Sequence, residues 1–180
     1  KKKKTKCSGR RVWSVMGRSK MKTLLTAWDA QFLTRYHTAP MQMERQTVGA
    51  HSYAVSILID QLWPDSSKQL IMAALYHDVP EIILGDIPAT AKWDYPELHQ
   101  AFERAEKKVM NDLGLNFILT AEEKNRLKMA DMLELVMYCH RHDMQLILHC
   151  GLNYLYKHYG QMQDFIKVEE VLIHLGLGVK

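Results

Sequence analysis

Apolar positions recur along this chain at helical spacing. Leu24, Leu25, Trp28, Phe32 and Leu33 fall mostly three or four residues apart and predict a first helix over about 22–35. Residues 36–46 are polar, contain Pro40 and read as a loop. Val48, Val55, Ile59 and Leu62 share one face of a helix over about 47–62. Pro64-Asp65-Ser66-Ser67 ends it, and Ser66 or Ser67 caps the next, about 67–77, which runs through Leu70, Ile71, Ala74 and Leu75. Pro80 suits the first turn of a short helix over about 79–84, closed by Gly85-Asp86-Ile87-Pro88. Residues 89–95 read as a loop. Pro96-Glu97 opens a helix of about 96–113 that Gly114 stops, and Thr120-Ala121-Glu122-Glu123 is a capping box opening one of about 121–141. Two more cover about 143–158 and 162–175. No strand-like alternation persists and no repeat occurs, so the fold class is all-α, a bundle of about six to eight helices.

Composition narrows the class. The 180 residues are 47% hydrophobic and 24% charged, which excludes a disordered or fibrous chain and fits one domain. Cys7, Cys139 and Cys150 are widely spaced and odd in number, so they form neither a disulfide framework nor a zinc knuckle. The chain therefore reads as cytoplasmic. No apolar run approaches the ~20 residues of a membrane span. The net charge of +4 is unevenly placed. Nine of the 24 basic residues and none of the 20 acidic ones lie in 1–20, so residues 21–180 carry a net −5. That acidic body argues against duplex nucleic acid as a partner. Residues 1–20 read as a basic leader or arm ahead of Met21, and 21–180 as the single domain.

The chemistry centres on His77-Asp78. The pair ends the apolar run Ile71-Met72-Ala73-Ala74-Leu75-Tyr76, and burying an imidazole and a carboxylate there costs free energy unless both are satisfied. Alone, the dipeptide reads as a capping Asp beside an ordinary His. His51 lies on an earlier helix, however, and Asp131 sits among Met129, Ala130 and Met132 on a later one, where Asp is a poor helix former. If Asp131 faced water it would pair with Lys128 or Arg126. Together the four supply two imidazoles and two carboxylates, a mixed set suited to one divalent ion (Mn, Co, Mg, Zn, Fe or Ni) with open positions for water and substrate. Glu81 follows His77 by four residues, and Asp86 follows Gly85; acids so placed suit proton handling.

The series Arg35-Tyr36, Glu44, Val48, His51-Ser52, Tyr76-His77-Asp78, Glu81, Gly85-Asp86-Ile87-Pro88, Lys92 and Ala130-Asp131 resembles the HD-domain phosphohydrolases. It is most similar to the small 5'-deoxynucleotidases, with single-domain phage deoxynucleotide hydrolases close in pattern. The resemblance spans about 24–140. It implies a compact HD-domain bundle, one divalent metal on His51, His77, Asp78 and Asp131, and a small nucleotide as substrate. It further implies water activation or leaving-group protonation by Glu81 and Asp86, and phosphate binding by Arg35 and Lys92. Tyr36 stands where these enzymes usually carry Trp, packed near the sugar, and the Arg35–His51 spacing is one residue longer than theirs. Relatives commonly form homodimers, and the apolar C-terminal helices offer surface for the core or for a partner.

Two other functions compete. A deoxynucleoside triphosphate hydrolase would use the same metal site but needs more cations than Arg35 and Lys92, with Lys124, Lys128 or Arg45 as candidates. A nucleic-acid-binding or regulatory module would rely on the basic arm. Of the remaining histidines, His37 is nearest the site in sequence; His142-Asp143 lacks the accompanying residues and reads as a helix break. Glu134, three residues after Asp131, is either an outer partner of the site or an acid at the core edge.

Overall fold

The computed structural model describes residues 18–36 and 45–178. The basic residues 1–17, His37, Pro40 and Glu44 lie outside them. Nine helices follow in order among the described residues: α1 (Arg18–Ala30), α2 (Val48–Leu62), α3 (Lys68–Tyr76), α4 (Glu81–Leu84), α5 (Ala89–Asp94), α6 (Pro96–Leu113), α7 (Ala121–Arg141), α8 (Gln145–Tyr159) and α9 (Phe165–His174). Seven have nine residues or more, and α4 and α5 are short pieces beside them. The all-α reading holds. Among the described residues no helix is long and apolar enough to cross a membrane.

Local signals set most boundaries. The Ser67 hydroxyl accepts the Leu70 N–H, and the Thr120 hydroxyl accepts that of Glu123 while the Glu123 carboxylate accepts the Thr120 N–H. Gly114 ends α6 at φ +70°, the left-handed region that costs glycine nothing. His142 caps α7, followed by Asp143 at φ +56°.

Two expectations are corrected. Residues 89–94 are helical rather than a loop, because the Pro88 carbonyl accepts from both Ala91 and Lys92 and closes a first turn. With Pro88 and Pro96 so close, the segment is too short to show a helical period. The first helix also begins at Arg18, inside the basic segment, and ends at Ala30 rather than 35. Residues 31–35 leave the helix to pair with the start of α2: Arg35 N–H donates to the Gln46 carbonyl, Val48 N–H to Leu33 and Gly49 N–H to Gln31. A side chain at Gly49 would meet Gln31 Cβ at 2.9 Å, so only glycine permits this approach. This strap carries Arg35 and Tyr36.

The core lies between α2, α3, α7, α8 and α9. Val55, Ile59, Trp63, Leu70, Met129, Leu133, Val136, Leu155 and Leu172 pack there. Helix α7 is central and buries residues on several faces, including the polar Arg126 and Glu134. A smaller cluster, Ala30, Val79 and Leu113, joins α1 and α6 to the α3–α4 turn. Residues from α2, the α3 terminus and α7 consequently meet at one end of the core.

Candidate metal centre

Four side chains converge there. His51 on α2 is fully buried, and its Nε2 lies 3.3 Å from His77 Nε2, 3.4 Å from Asp78 Oδ2 and 3.2 Å from Asp131 Oδ1. His77 Nε2 in turn lies 3.3 Å from Asp78 Oδ1 and 3.8 Å from Asp131 Oδ1. His51, His77 and Asp78 each offer a ligand atom within 4.8 Å of the others. The structure thus brings together the four residues expected as metal ligands.

The far side of each imidazole fixes which nitrogen faces inward. His51 Nδ1–H donates to Glu134 Oε2 at 2.5 Å, and His77 Nδ1–H donates to the Ala74 carbonyl at 2.7 Å. Both Nε2 lone pairs therefore point at each other and at carboxylate oxygens. Four acceptors face one another, and Asp78 Oδ2 is buried without a hydrogen bond. Such a set needs a cation, or a proton in its place. Burial alone would lower the His77 pKa, but Asp78 and Asp131 outweigh it and hold it at about 9. Burial opposes ionisation of Asp78 and Asp131 too, yet both stay below the usual range: His77, Arg35 and His51 hold Asp78, and Lys128 and the two imidazoles hold Asp131.

Asp131 does both things its sequence position allowed. Oδ1 faces the imidazoles, and Oδ2 accepts from the half-exposed Lys128 ammonium at 2.7 Å. Arg126 is elsewhere, bonded to Asp164 and Asp65.

The residues expected to hold phosphate or move protons lie on the strap and between α3 and α6. The Arg35 guanidinium is 3.9 Å from both Asp78 Oδ2 and Glu134 Oε2, and 5.3 Å from the centre of the Tyr36 ring. Burial disfavours its charge, but Asp78 together with Tyr36, Asp131 and Glu81 outweighs it and the pKa rises. Tyr36 sits at φ +58°, held by its N–H donating to Asp86 Oδ2 at 2.7 Å. Its ring stacks on Tyr138, 5.3 Å between centroids and 9° from parallel. A non-glycine residue at positive φ stores strain of order 1–3 kcal/mol, and such strain clusters at functional sites.

Glu81 is buried at 7% exposure, with Oε2 lacking a hydrogen bond. Burial first, then the Asp78 charge, push its carboxyl up to about 9. Gly85, at φ +81°, turns the chain so that Asp86 returns towards the strap. Lys92 Nζ pairs with Glu106 on α6 at 3.5 Å and lies over the Phe102 ring. No bond joins it to the four-residue cluster, though its charge reaches Glu81.

Sequence reasoning left Gln46 and Tyr138 unmarked. Gln46 Nε2 donates to Glu134 Oε1 at 2.5 Å, its backbone N–H donates to Tyr138 Oη at 3.2 Å, and its Oε1 accepts from Arg35 at 3.5 Å. The legible signal was Glu134, one helical turn beyond Asp131.

A family model described as YfbR-like, 5'-deoxynucleotidase YfbR-like, matches residues 29–145, which include all four converging side chains. The chain belongs to this family. This YfbR-like protein is an HD-type hydrolase, a deoxynucleotide phosphohydrolase. Two solved structures are similar in fold. The PH0347 protein from Pyrococcus horikoshii OT3 is 17% identical with a TM-score of 0.65, covering 87% of this chain and 98% of its own. The cyanophage S-2L HD phosphohydrolase DatZ, bound to dA and one catalytic Zn2+ ion, is 18% identical with a TM-score of 0.67, covering 84% and 93%. No curated protein sequence matches the chain.

Proposed function

We propose that this YfbR-like protein hydrolyses deoxynucleoside 5'-monophosphates to deoxynucleoside and phosphate, using one divalent ion held by His51, His77, Asp78 and Asp131. The observation that carries the reading is the convergence of two imidazole nitrogens and two carboxylates, with His51 Nε2 lying 3.2–3.4 Å from the other three groups. That arrangement fits a divalent ion, since each ring's Nδ1–H is engaged elsewhere and leaves Nε2 for the ion once His77 gives up its proton, and Asp78 Oδ2 accepts no hydrogen bond. When bound, the ion supplies Lewis acidity at the phosphoryl group and draws the pKa of a water towards about 7.

The chain's own groups do the rest. Arg35 offers a planar fork to two phosphate oxygens, and Tyr36 and the Gln46 side chain hold that fork in place. Glu81 carries a proton on its buried carboxyl and gives it to the departing 5'-oxygen. Asp86 fixes the strap through the Tyr36 N–H and so orients Arg35. The Tyr36 ring, flat against Tyr138, is the wall for the deoxyribose. The fold neighbour that holds dA and zinc supports both a nucleoside-sized site and zinc as one suitable ion.

Charge favours the monophosphate. Lys92 is shared with Glu106, Lys128 with Asp131 and Arg35 with Asp78 and Glu134, so the chain offers little cationic charge beyond what one phosphate needs. A triphosphate would bring further negative charge to a region already holding Glu81, Asp86 and Glu106. The test is phosphate release from deoxy- and ribonucleoside mono- and triphosphates with Mn, Co, Mg or Zn. Release of orthophosphate from the deoxynucleoside monophosphates is expected. Turnover confined to triphosphates, with release of the intact phosphate chain, would overturn the substrate assignment and keep the metal site.

A further inference from the structure

We infer that Glu134 is a positioning residue that ties the metal side of the site to its phosphate side, an inference that rests on the reading above. Its carboxylate is 6% exposed and both oxygens are engaged. Oε2 accepts from His51 Nδ1 and Oε1 from Gln46 Nε2, each at 2.5 Å. The first bond fixes the His51 tautomer and turns Nε2 towards His77, Asp78 and Asp131. A carboxylate behind an imidazole also raises the basicity of the nitrogen that faces the ion.

The second bond works on Arg35. Gln46 is held at three points: its backbone carbonyl accepts the Arg35 N–H at 2.8 Å, its backbone N–H reaches Tyr138, and its side-chain oxygen receives Arg35 Nη1. Arg35 Nη1 also lies 3.9 Å from Glu134 Oε2, so the same anion attracts the guanidinium directly. One acid on α7 thereby sets the orientation of a histidine on α2 and of an arginine on the strap. An amide at position 134 would keep the shape but lose the charge, and one amide face cannot accept from both donors.

The experiment compares wild type, Glu134→Gln and Gln46→Ala. Zn2+ and Mn2+ affinities are measured by chelator competition without substrate, and kcat and KM for deoxyadenosine monophosphate at saturating metal. The His51 tautomer is read by 15N NMR. For Glu134→Gln, metal affinity falls about 10–100-fold, the Nδ1–H tautomer of His51 is no longer dominant, and KM rises even when metal saturates. For Gln46→Ala, metal affinity and the tautomer stay as in wild type while KM rises. That split separates positioning from general loss of structure, and Gln46→Ala still tests the phosphate arm should Glu134→Gln fail to fold. Wild-type metal affinity and KM in Glu134→Gln would overturn the inference alone, as would an unchanged KM in Gln46→Ala. A wild-type protein that binds no divalent ion would overturn the metal-site reading and this inference with it.

Discussion

Two charged clusters are built on helix α7, one turn or so apart, and they solve opposite problems. At Arg126 a single buried guanidinium meets three acids: Nε reaches Asp164 at 2.7 Å, Nη1 reaches Asp65 at 3.3 Å and Nη2 reaches Glu122 at 2.5 Å. Its face also lies 5.8 Å from the Trp63 ring. Every donor has an acceptor, and the result pins the start of α7 to the α2–α3 and α8–α9 connections. At His51 two imidazole Nε2 atoms meet two carboxylates, and in the metal-free protein only a proton on His77 stands among them. A satisfied cluster explains itself as structure. An unsatisfied one, kept at the centre of a fold, calls for a cation from outside.

The largest effect should come from removing a ligand. Asp78→Ala is expected to lower kcat/KM by about 10³-fold or more, through loss of the ion and of its hold on the phosphoryl oxygens. Arg126→Leu should behave the other way. It costs about 1–3 kcal/mol, discounted because Asp65 and Glu122 are largely exposed, and leaves kcat/KM of the folded enzyme unchanged. Denaturant melts and kinetics on the same preparations check both halves.

The clusters should also differ in their response to metal and pH. Chelation should lower wild-type stability by about 3 kcal/mol relative to protein with metal at ~100 times its Kd, and leave Asp78→Ala unaffected. Metal must displace the proton that His77 holds up to about 9 in the free protein. Affinity should therefore rise with pH, by up to about tenfold per unit, and level off above that value. A pH-independent Kd between 6 and 9 would contradict the proton's place in the cluster. A further pH effect concerns Glu81. Its raised pKa means that the folded state holds a proton the unfolded chain releases near 4.5, so metal-free stability falls as pH climbs from there towards about 9. Glu81→Gln should flatten that fall, as read by melting temperature across the window.

Much of this was legible in the sequence because the informative residues sit in unsuitable company. Asp131 in an apolar helix and His77-Asp78 at the end of another are costly placements, and cost implies a reason. Ser67, Thr120 and Gly114 likewise marked helix ends by local chemistry. What could not be read depends on distance along the chain. Gln46 joins Glu134 across 88 positions, and no local spacing points to it. The strap that shortens α1 forms because Gly49 lets α2 approach Gln31, a tertiary event that overrides the helical period of Phe32 and Leu33. Helix α5 was hidden between two prolines. Lys92 enters the expected site by resemblance alone, and its pairing with Glu106 depends on how α6 packs.

The central claim is that four converging acceptors hold one catalytic ion, and a calorimetric titration tests it most directly. Zn2+ or Mn2+ would be added to metal-free wild type, to Asp131→Asn and to Arg126→Leu. The account predicts one ion per chain in wild type and in Arg126→Leu, with a proton released on binding at neutral pH, and much weaker binding in Asp131→Asn. Absence of binding in wild type, or equal binding in all three, would contradict it.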